Sequence, residues 1–313
     1  GQGGLTYERT FAGAGWRDNV TGTLQSTSSS NYVASFGGYS EAFTLSGTTF
    51  TPVVPNGSTL VKSGSTYIWT LRDGMQLIFN QELAGGAYTS SGIYSRTAAN
   101  QGRIVEMKAP NGEIRTFHYE VVEAPEQVVF PIMPSQSVRL GSVTNNCGYQ
   151  IHIKYAFALP PESWEQLELW LMPTKVTGLN NAVDHCFPLN QGCTFSRTWP
   201  SAAYAATSTS GTVTDQSGRA TTYSYAGGLI TGIKRPGSAT NDVAINYTAG
   251  RVASVQAGSE AWGYAYAASG DTRTTTITDP ASQTWQATGS IAGHTLLSWR
   301  NPLLQTTSYA YDA

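Results

Sequence analysis

The chain has 313 residues, enough for one large β domain or two ordinary ones, and carries 18 basic against 20 acidic side chains, a formal charge of -2. It has no run of Lys or Arg that would track a phosphate backbone or an anionic bilayer, which argues against nucleic acid as a partner. With 33 glycines, 17 tyrosines and only 12% charged residues, the composition favours strands and turns over long helices.

Residues 1–100 read as an amino-terminal β region, in which the strand signals TYERTF, SEAFTLSGTTFTPVV and STYIWTLRDGMQLIFN alternate with Gly or Asn turns. In the last of these, Tyr67, Trp69 and Leu71 share one side. Beyond Asp73-Gly74, Leu77 and Phe79 return along the same side, which is the pattern of a hairpin. Residues 101–210 read as longer hairpins and open on RIVEMKAPNGEIRTFHYEVVE. There Asn111-Gly112 marks the turn, and Ile114, Thr116 and His118 alternate with Arg115, Phe117 and Tyr119.

An irregular insertion is expected at 159–200. Trp164, Leu167 and Leu171 have helical spacing there, while Glu165, Leu167, Leu169 and Leu171 suit an extended edge, so 162–172 stays open between helix and strand. From 211 to 313 the beat shortens. Tyr225, Tyr247 and Tyr266 stand 22 and 19 residues apart, and GGLITGI and AGRVASV follow the first two.

The turn glycines Gly74, Gly112, Gly148 and Gly218 are separated by 38, 36 and 70 residues, and the last gap is close to two units. Aromatic or β-branched residues follow each glycine at five and, in three copies, seven positions, with a degenerate copy expected near Val183. Repetition at this period means supersecondary units too small to bury their own apolar faces, each covered by the next.

Chemistry is sparse. No GxSxG, HExxH or P-loop pattern occurs, so no catalytic residue is assigned and an enzyme is the weaker reading. Acid and base pairs can be drawn from Glu106, Glu113, Glu120, Glu123 and Glu126, but a solvated edge is the ordinary explanation. Arg17-Asp18, Arg72-Asp73 and Arg273 with Asp271 suit turns or surface pairs. His118 and His152 occupy similar places in two units, which repetition explains without a ligand; His185 and His294 complete the set.

Cys186 and Cys193 are candidates for a disulfide closing HCFPLNQGC, with two reduced buried thiols as the alternative. His185, Cys186, Cys193 and Cys147 would offer four zinc ligands, but their spacing fits no compact zinc pattern, and no metal or other cofactor is expected. Of the eight tryptophans, Trp262 shares a face with Tyr264, and the two form a candidate stacking platform for a sugar ring or another protein. No stretch reaches the roughly 18 apolar residues of a membrane span, and GQGGLTYERTF lacks the basic and apolar parts of a signal peptide. The low-charge, Thr- and Tyr-rich composition points to an extracellular or cell-surface location.

YSYAGGLITGIKRP, INYTAGRVASVQ and YAYDA, together with RIVEMKAPNGEIRTFHYE, resemble the repeats of the RHS and YD-repeat proteins, a family that includes the shell component of bacterial toxin complexes and the teneurins. LTYERTFAGAGWRDN followed by the phrase Asp73–Phe79 is similar to the region that opens many RHS proteins. The resemblance implies a bacterial surface or secreted protein in a β-shell or spiral. Ala226, Thr248 and Ala267 stand where the family's aspartate follows tyrosine, and the family's autoproteolytic segment is not matched, so processing is not carried over.

The fold expected is therefore all-β, an antiparallel β-hairpin ribbon forming a spiral, shell-like or solenoid-like structure. The expected function is a structural scaffold partnered by copies of itself or by the remainder of a longer chain. A carbohydrate-binding or polysaccharide-cleaving protein and a fragment of a toxin-encapsulating shell are the alternatives.

Overall fold

The structure, a computed structural model, describes residues 4–12, 15–83, 87–88, 94–95, 100–123, 136–293 and 295–311. It is almost entirely β, an antiparallel sheet of many strands not closed into a barrel. The period-two patterning of the sequence accounts for this. The one α-helix among the described residues, Trp164–Leu171, resolves the ambiguity at 162–172. Ser163 caps it by accepting from the Gln166 N–H, and Leu167 and Trp170 form its buried side.

The chain divides into two compact units, Gly1–Tyr204 with Thr214–Gly218, and Ala205–Val213 with Arg219–Ala313. The boundaries read from sequence at 100 and 210 fall within the strands Asn100–Lys108 and Ser210–Asp215.

In the first unit, Gly22–Ser26, Asn31–Phe36, Tyr39–Ser46 and Thr49–Pro52 pair in succession, as do Thr59–Ser63, Thr66–Thr70 and Gln76–Asn80. Asn100–Lys108 joins the two groups, because its first residues pair with Gly22–Ser26 and the rest with Gln76–Asn80. Its last three residues pair with Ile114–Glu123, and the meander continues through Gln136–Asn145, Tyr149–Tyr155 and Pro173–Asn180. Alternate side chains of these strands build one core. Leu24, Phe43, Trp69, Phe79 and Ile104 are wholly buried in it, each worth about 1.5–3 kcal/mol of transfer free energy.

Among the described residues, two excursions leave this ladder. One carries the helix. The other follows Asn180–Asp184, where the degenerate copy near Val183 makes its turn, with Val183 and Asp184 N–H donating to Asn180 O. The returning strand is not immediate there; Pro173–Asn180 pairs instead with Ser201, Ala202 and Ala203.

The repeat glycines share one turn. Leu71 N–H donates to Met75 O at 2.8 Å and Gly74 N–H to Leu71 O at 3.0 Å, and Ala109, Gly112 and Glu113 repeat both bonds. This is a type I turn closed by a left-handed residue, with φ of 89°, 85°, 82° and 80° at Gly74, Gly112, Gly148 and Gly218. The same pair of bonds recurs at Asp279–Gln283 and Asn301–Gln305, where Ser282 and Leu304 hold φ of 63° and 66°. A side chain in that region costs about 1–2 kcal/mol, more than the backbone entropy glycine gives up. Leu304→Gly is therefore expected to raise stability by about 0.5–1 kcal/mol, read as a higher melting temperature, because Leu304 is exposed and little burial is lost.

The second unit is a ribbon of consecutive hairpins from Ala220–Ala226 to Thr306–Ser308. Two-residue turns at Gly227-Gly228 and Ala249-Gly250 join its strands, with φ positive at both positions of each. Ile230 is the only buried hydrophobic residue described in this unit; its other apolar side chains are half-buried or exposed.

Candidate functional site

The tyrosines of the shortened beat lie against bulges in the ladder. Opposite Tyr225 the ladder skips Thr231 and pairs Tyr225 with Ile230; opposite Tyr247 it skips Ala253 and pairs Tyr247 with Val252. Similar bulges place Leu140 opposite Tyr119 and Leu296 opposite Gly289. A bulge disrupts the ladder locally and turns a carbonyl away from its usual partner. In all four cases a later tyrosine supplies the missing donor. Tyr155 Oη donates to Leu140 O, Tyr247 to Ile230 O, Tyr266 to Val252 O and Tyr311 to Leu296 O, at 2.7, 2.8, 2.9 and 2.8 Å.

Each tie reaches back past a hairpin, so the hydroxyl, and not only the ring, explains why the repeat uses Tyr. In the second unit Ile230 and Val252 each lie two residues after a turn glycine. That offset was available in the sequence as a sign of the acceptor. Tyr247→Phe and Tyr266→Phe are each expected to lower stability by about 0.5–1.5 kcal/mol, and Tyr155→Phe by more because Tyr155 is buried. Urea unfolding of the three variants checks this order.

Trp262 and Tyr264 do share a face, both half-buried, but Trp262 is turned toward Trp285, whose ring lies 6.4 Å away and nearly parallel. Tyr264 instead lines a depression of about 520 Å³ with Tyr266, Thr248 and Arg251, and the Arg251 guanidinium stands 5.3 Å from the Tyr266 ring. The two residues proposed as a platform are thus split between an aromatic pair and a shallow hollow.

Cys186 and Cys193 are joined in a disulfide, and Cys147 is a free, exposed thiol. The ring beside the disulfide is His152, on strand Tyr149–Tyr155, while His185 is exposed and packs edge-on against Phe187. His152 Nε2 lies 2.8 Å from Asn190 O, and His118 Nε2 lies 2.9 Å from Thr144 Oγ1. His294 lies outside the described residues.

Burial holds both imidazoles below their ordinary pKa, and at His152 the Asn190 carbonyl opposes this in part. Both rings are therefore kept neutral in the fold, while the unfolded chain takes up protons near pH ~6.5. Their stabilisation is complete above that pH and is lost as the pH falls through the lower folded-state values. Unfolding free energy is expected to decline on acidification from neutrality, and His152→Gln should flatten the decline in a pH series of urea melts.

The acidic residues are engaged structurally. Glu106 pairs with Lys108, Glu113 with Arg115 and Asn145, and Glu120 with Arg139. The bond from Arg115 is the main cause holding Glu113 below the usual carboxylate range. The side chain of Glu123, and Glu126 as a whole, lie outside the described residues. Glu41 is the one buried carboxylate among the described residues, and it accepts from Ser58 Oγ and Trp69 Nε1. Asp18 caps a turn by accepting from Val20 and Thr21 N–H, Asp73 accepts from Met75 N–H, and Asp271 accepts from Ser290 Oγ and Ala292 N–H.

Together these features define a class, an antiparallel hairpin ribbon in which four bulges are capped by tyrosine hydroxyls and most carboxylates serve turns and ion pairs. No family model matches the chain, and no curated protein is similar to it. No helix among the described residues is long and apolar enough to cross a membrane.

Proposed function

We propose that the chain is a structural repeat scaffold of a secreted or surface protein, forming part of a β-shell or a self-assembling filament, with repeats of the RHS and YD-repeat kind. The observation that carries this reading is the second unit, a single ribbon of hairpins with Ile230 as its only buried hydrophobic residue described. A sheet of that kind lacks a core of its own and gains stability from neighbouring repeats or a partner. Exposed Leu303, Leu304, Tyr309 and Tyr311 add apolar surface near its last strand, Thr306–Ser308. A disulfide fits an oxidising compartment.

The test is cryo-electron microscopy with analytical ultracentrifugation of purified native protein over a concentration range. Filaments, closed shells or a concentration-dependent mass support the scaffold. A monodisperse monomer at every concentration overturns self-assembly.

A second reading, glycan binding, draws on the Tyr264 and Tyr266 hollow with Arg251 beside it. An oligosaccharide array on wild type and Tyr264→Ala tests it, and equal retention of glycans by the two, or none by either, rejects that site.

A further inference from the structure

The segment from Asp184 to Trp199 is pinned by more than its disulfide. The Asp184 carboxylate accepts from Ser196 N–H and Oγ and from Trp199 Nε1, closing the segment at its two ends. In its middle, Gln191 Oε1 accepts from Tyr155 N–H at 3.0 Å and Gln191 Nε2 donates to Ile153 O at 3.2 Å. Pro188 and Leu189 lie over Gly141, where an added Cβ would stand 2.7 Å from Leu189 Cδ2. None of these contacts involves the sulfur–sulfur bond, and together they hold both cysteines over the strand that carries His152.

A ring nitrogen of His152 and the two Sγ atoms all lie within 4.8 Å of one another. His152 and Cys186 are buried, and Cys193 is half-buried at the solvent side. The Asn190 carbonyl oxygen stands 2.8 Å from His152 Nε2 and 3.6 Å from each sulfur, which puts Nε2 on the sulfur side of the ring. Opposite His152 in the ladder, buried Ser142 has a hydroxyl without a hydrogen-bond partner. Tetrahedral zinc bound by sulfur at about 2.3 Å and nitrogen at about 2.0 Å needs ligand atoms about 3.5–3.8 Å apart. Breaking the disulfide lets the sulfurs separate to that spacing, with Gly192 next to Cys193 to absorb the change.

We propose that Cys186, Cys193 and His152 form a redox-gated zinc site, closed as a disulfide under oxidising conditions and able to bind one Zn²⁺ once reduced. A dithiol reductant supplies two electrons and two protons, becoming a disulfide itself and leaving two cysteine thiols. Zinc then binds both as thiolates and releases two protons. In the disulfide form Nε2–H donates to the Asn190 carbonyl, so zinc binding requires the proton to reside on Nδ1 and replaces that hydrogen bond by a bond from the Nε2 lone pair to the ion. The Asn190 carbonyl oxygen, 2.8 Å from Nε2 and 3.6 Å from each sulfur, stands at the fourth position. Burial keeps His152 in the neutral form that a metal ligand requires. The segment is thus cross-linked in both states, by sulfur in one and by zinc in the other. This inference does not rest on the scaffold reading.

The test uses the full chain with Cys147→Ser, which removes the exposed third thiol. The protein is reduced with a trialkylphosphine, which takes up oxygen from water as the two thiols form, and Co²⁺ and then Zn²⁺ are added without air. The expected result is one equivalent of Co²⁺ with a thiolate charge-transfer band and the visible bands of a tetrahedral site, displaced by Zn²⁺. Oxidised protein should show none of this, and His185→Gln should bind as the parent does. His152→Gln should bind at least tenfold more weakly. Nitrogen-15 histidine spectra of the zinc-loaded parent should show Nε2 of His152 bound to metal, a readout that stands even if the variant fails to fold. Absence of binding in the reduced protein, equal binding in the oxidised protein, or an unliganded His152 in the zinc-loaded spectra overturns the proposal.

Discussion

Arg139→Ala is expected to cost about 3–5 kcal/mol of unfolding free energy. Arg139 is 3% exposed on strand Gln136–Asn145 and lies between the rings of Tyr155 and Trp170, 4.5 and 4.2 Å from their centroids. Its Nε donates to Glu120 at 2.7 Å, and its Nη1 donates to the carbonyls of Phe157 and Trp170, each at 2.7 Å. Nη2 makes an ion pair with Glu120 and reaches Ala158 O at 3.4 Å.

Burial lowers the Arg139 pKa from its ordinary value, and Glu120 opposes the shift. Truncation leaves that carboxylate and three carbonyls without their donor, which is why breaking such a pair costs more than the pair is worth. Because Trp170 O belongs to the last turn of the helix, Arg139 also places a cation at the helix C-terminus. The variant should therefore expose Leu159–Val176 to limited proteolysis before the rest of the chain. Arg139→Met with Glu120→Leu, which removes both charges, should recover part of the loss. Denaturant melts of the two variants measure the difference, and a loss under about 1 kcal/mol for Arg139→Ala would contradict this account.

Trp69→Ala is expected to cost about 3–5 kcal/mol for a different reason, the cavity left by a large side chain with no exposed surface. Trp69 stacks on Tyr39 at 5.7 Å, meets Phe43 edge-on at 6.5 Å, and donates Nε1–H to Glu41 at 3.0 Å. Trp69→Phe separates the two parts. It keeps most of the packing but removes the donor, so that Glu41 retains Ser58 alone, a loss of about 1–3 kcal/mol. Urea melts of both variants should give that order, and equal losses would mean that the hydrogen bond carries the effect.

Much of this was legible because it is local. Tyr67, Trp69, Leu77 and Phe79 alternate in the sequence, and their burial follows from the side-chain period of a strand. The type I turns at Gly74 and Gly112 follow from dipeptides that tolerate left-handed backbone. Where glycine was absent the signal failed, and the equivalent turns at Ser282 and Leu304 could be found only from φ. The helix Trp164–Leu171 was ambiguous because eight residues with apolar positions at both periods suit either state, and the Ser163 cap and the burial of Trp170 decide between them.

The sequence by itself therefore determined the all-β class of fold and the turns that glycine marks, since these depend on residues a few positions apart. The tertiary structure alone decided the partners of the functional groups. It set His152 beside Cys186 and Cys193, not His185, which is next to Cys186 in the chain. It joined Arg139 to carbonyls 18 to 31 residues away, and turned Trp262 to Trp285 in place of Tyr264. The physical reason is the antiparallel ladder with its bulges. Register fixes which side chains face each other across strands, and a one-residue skip redirects a carbonyl or a ring toward a partner far along the chain.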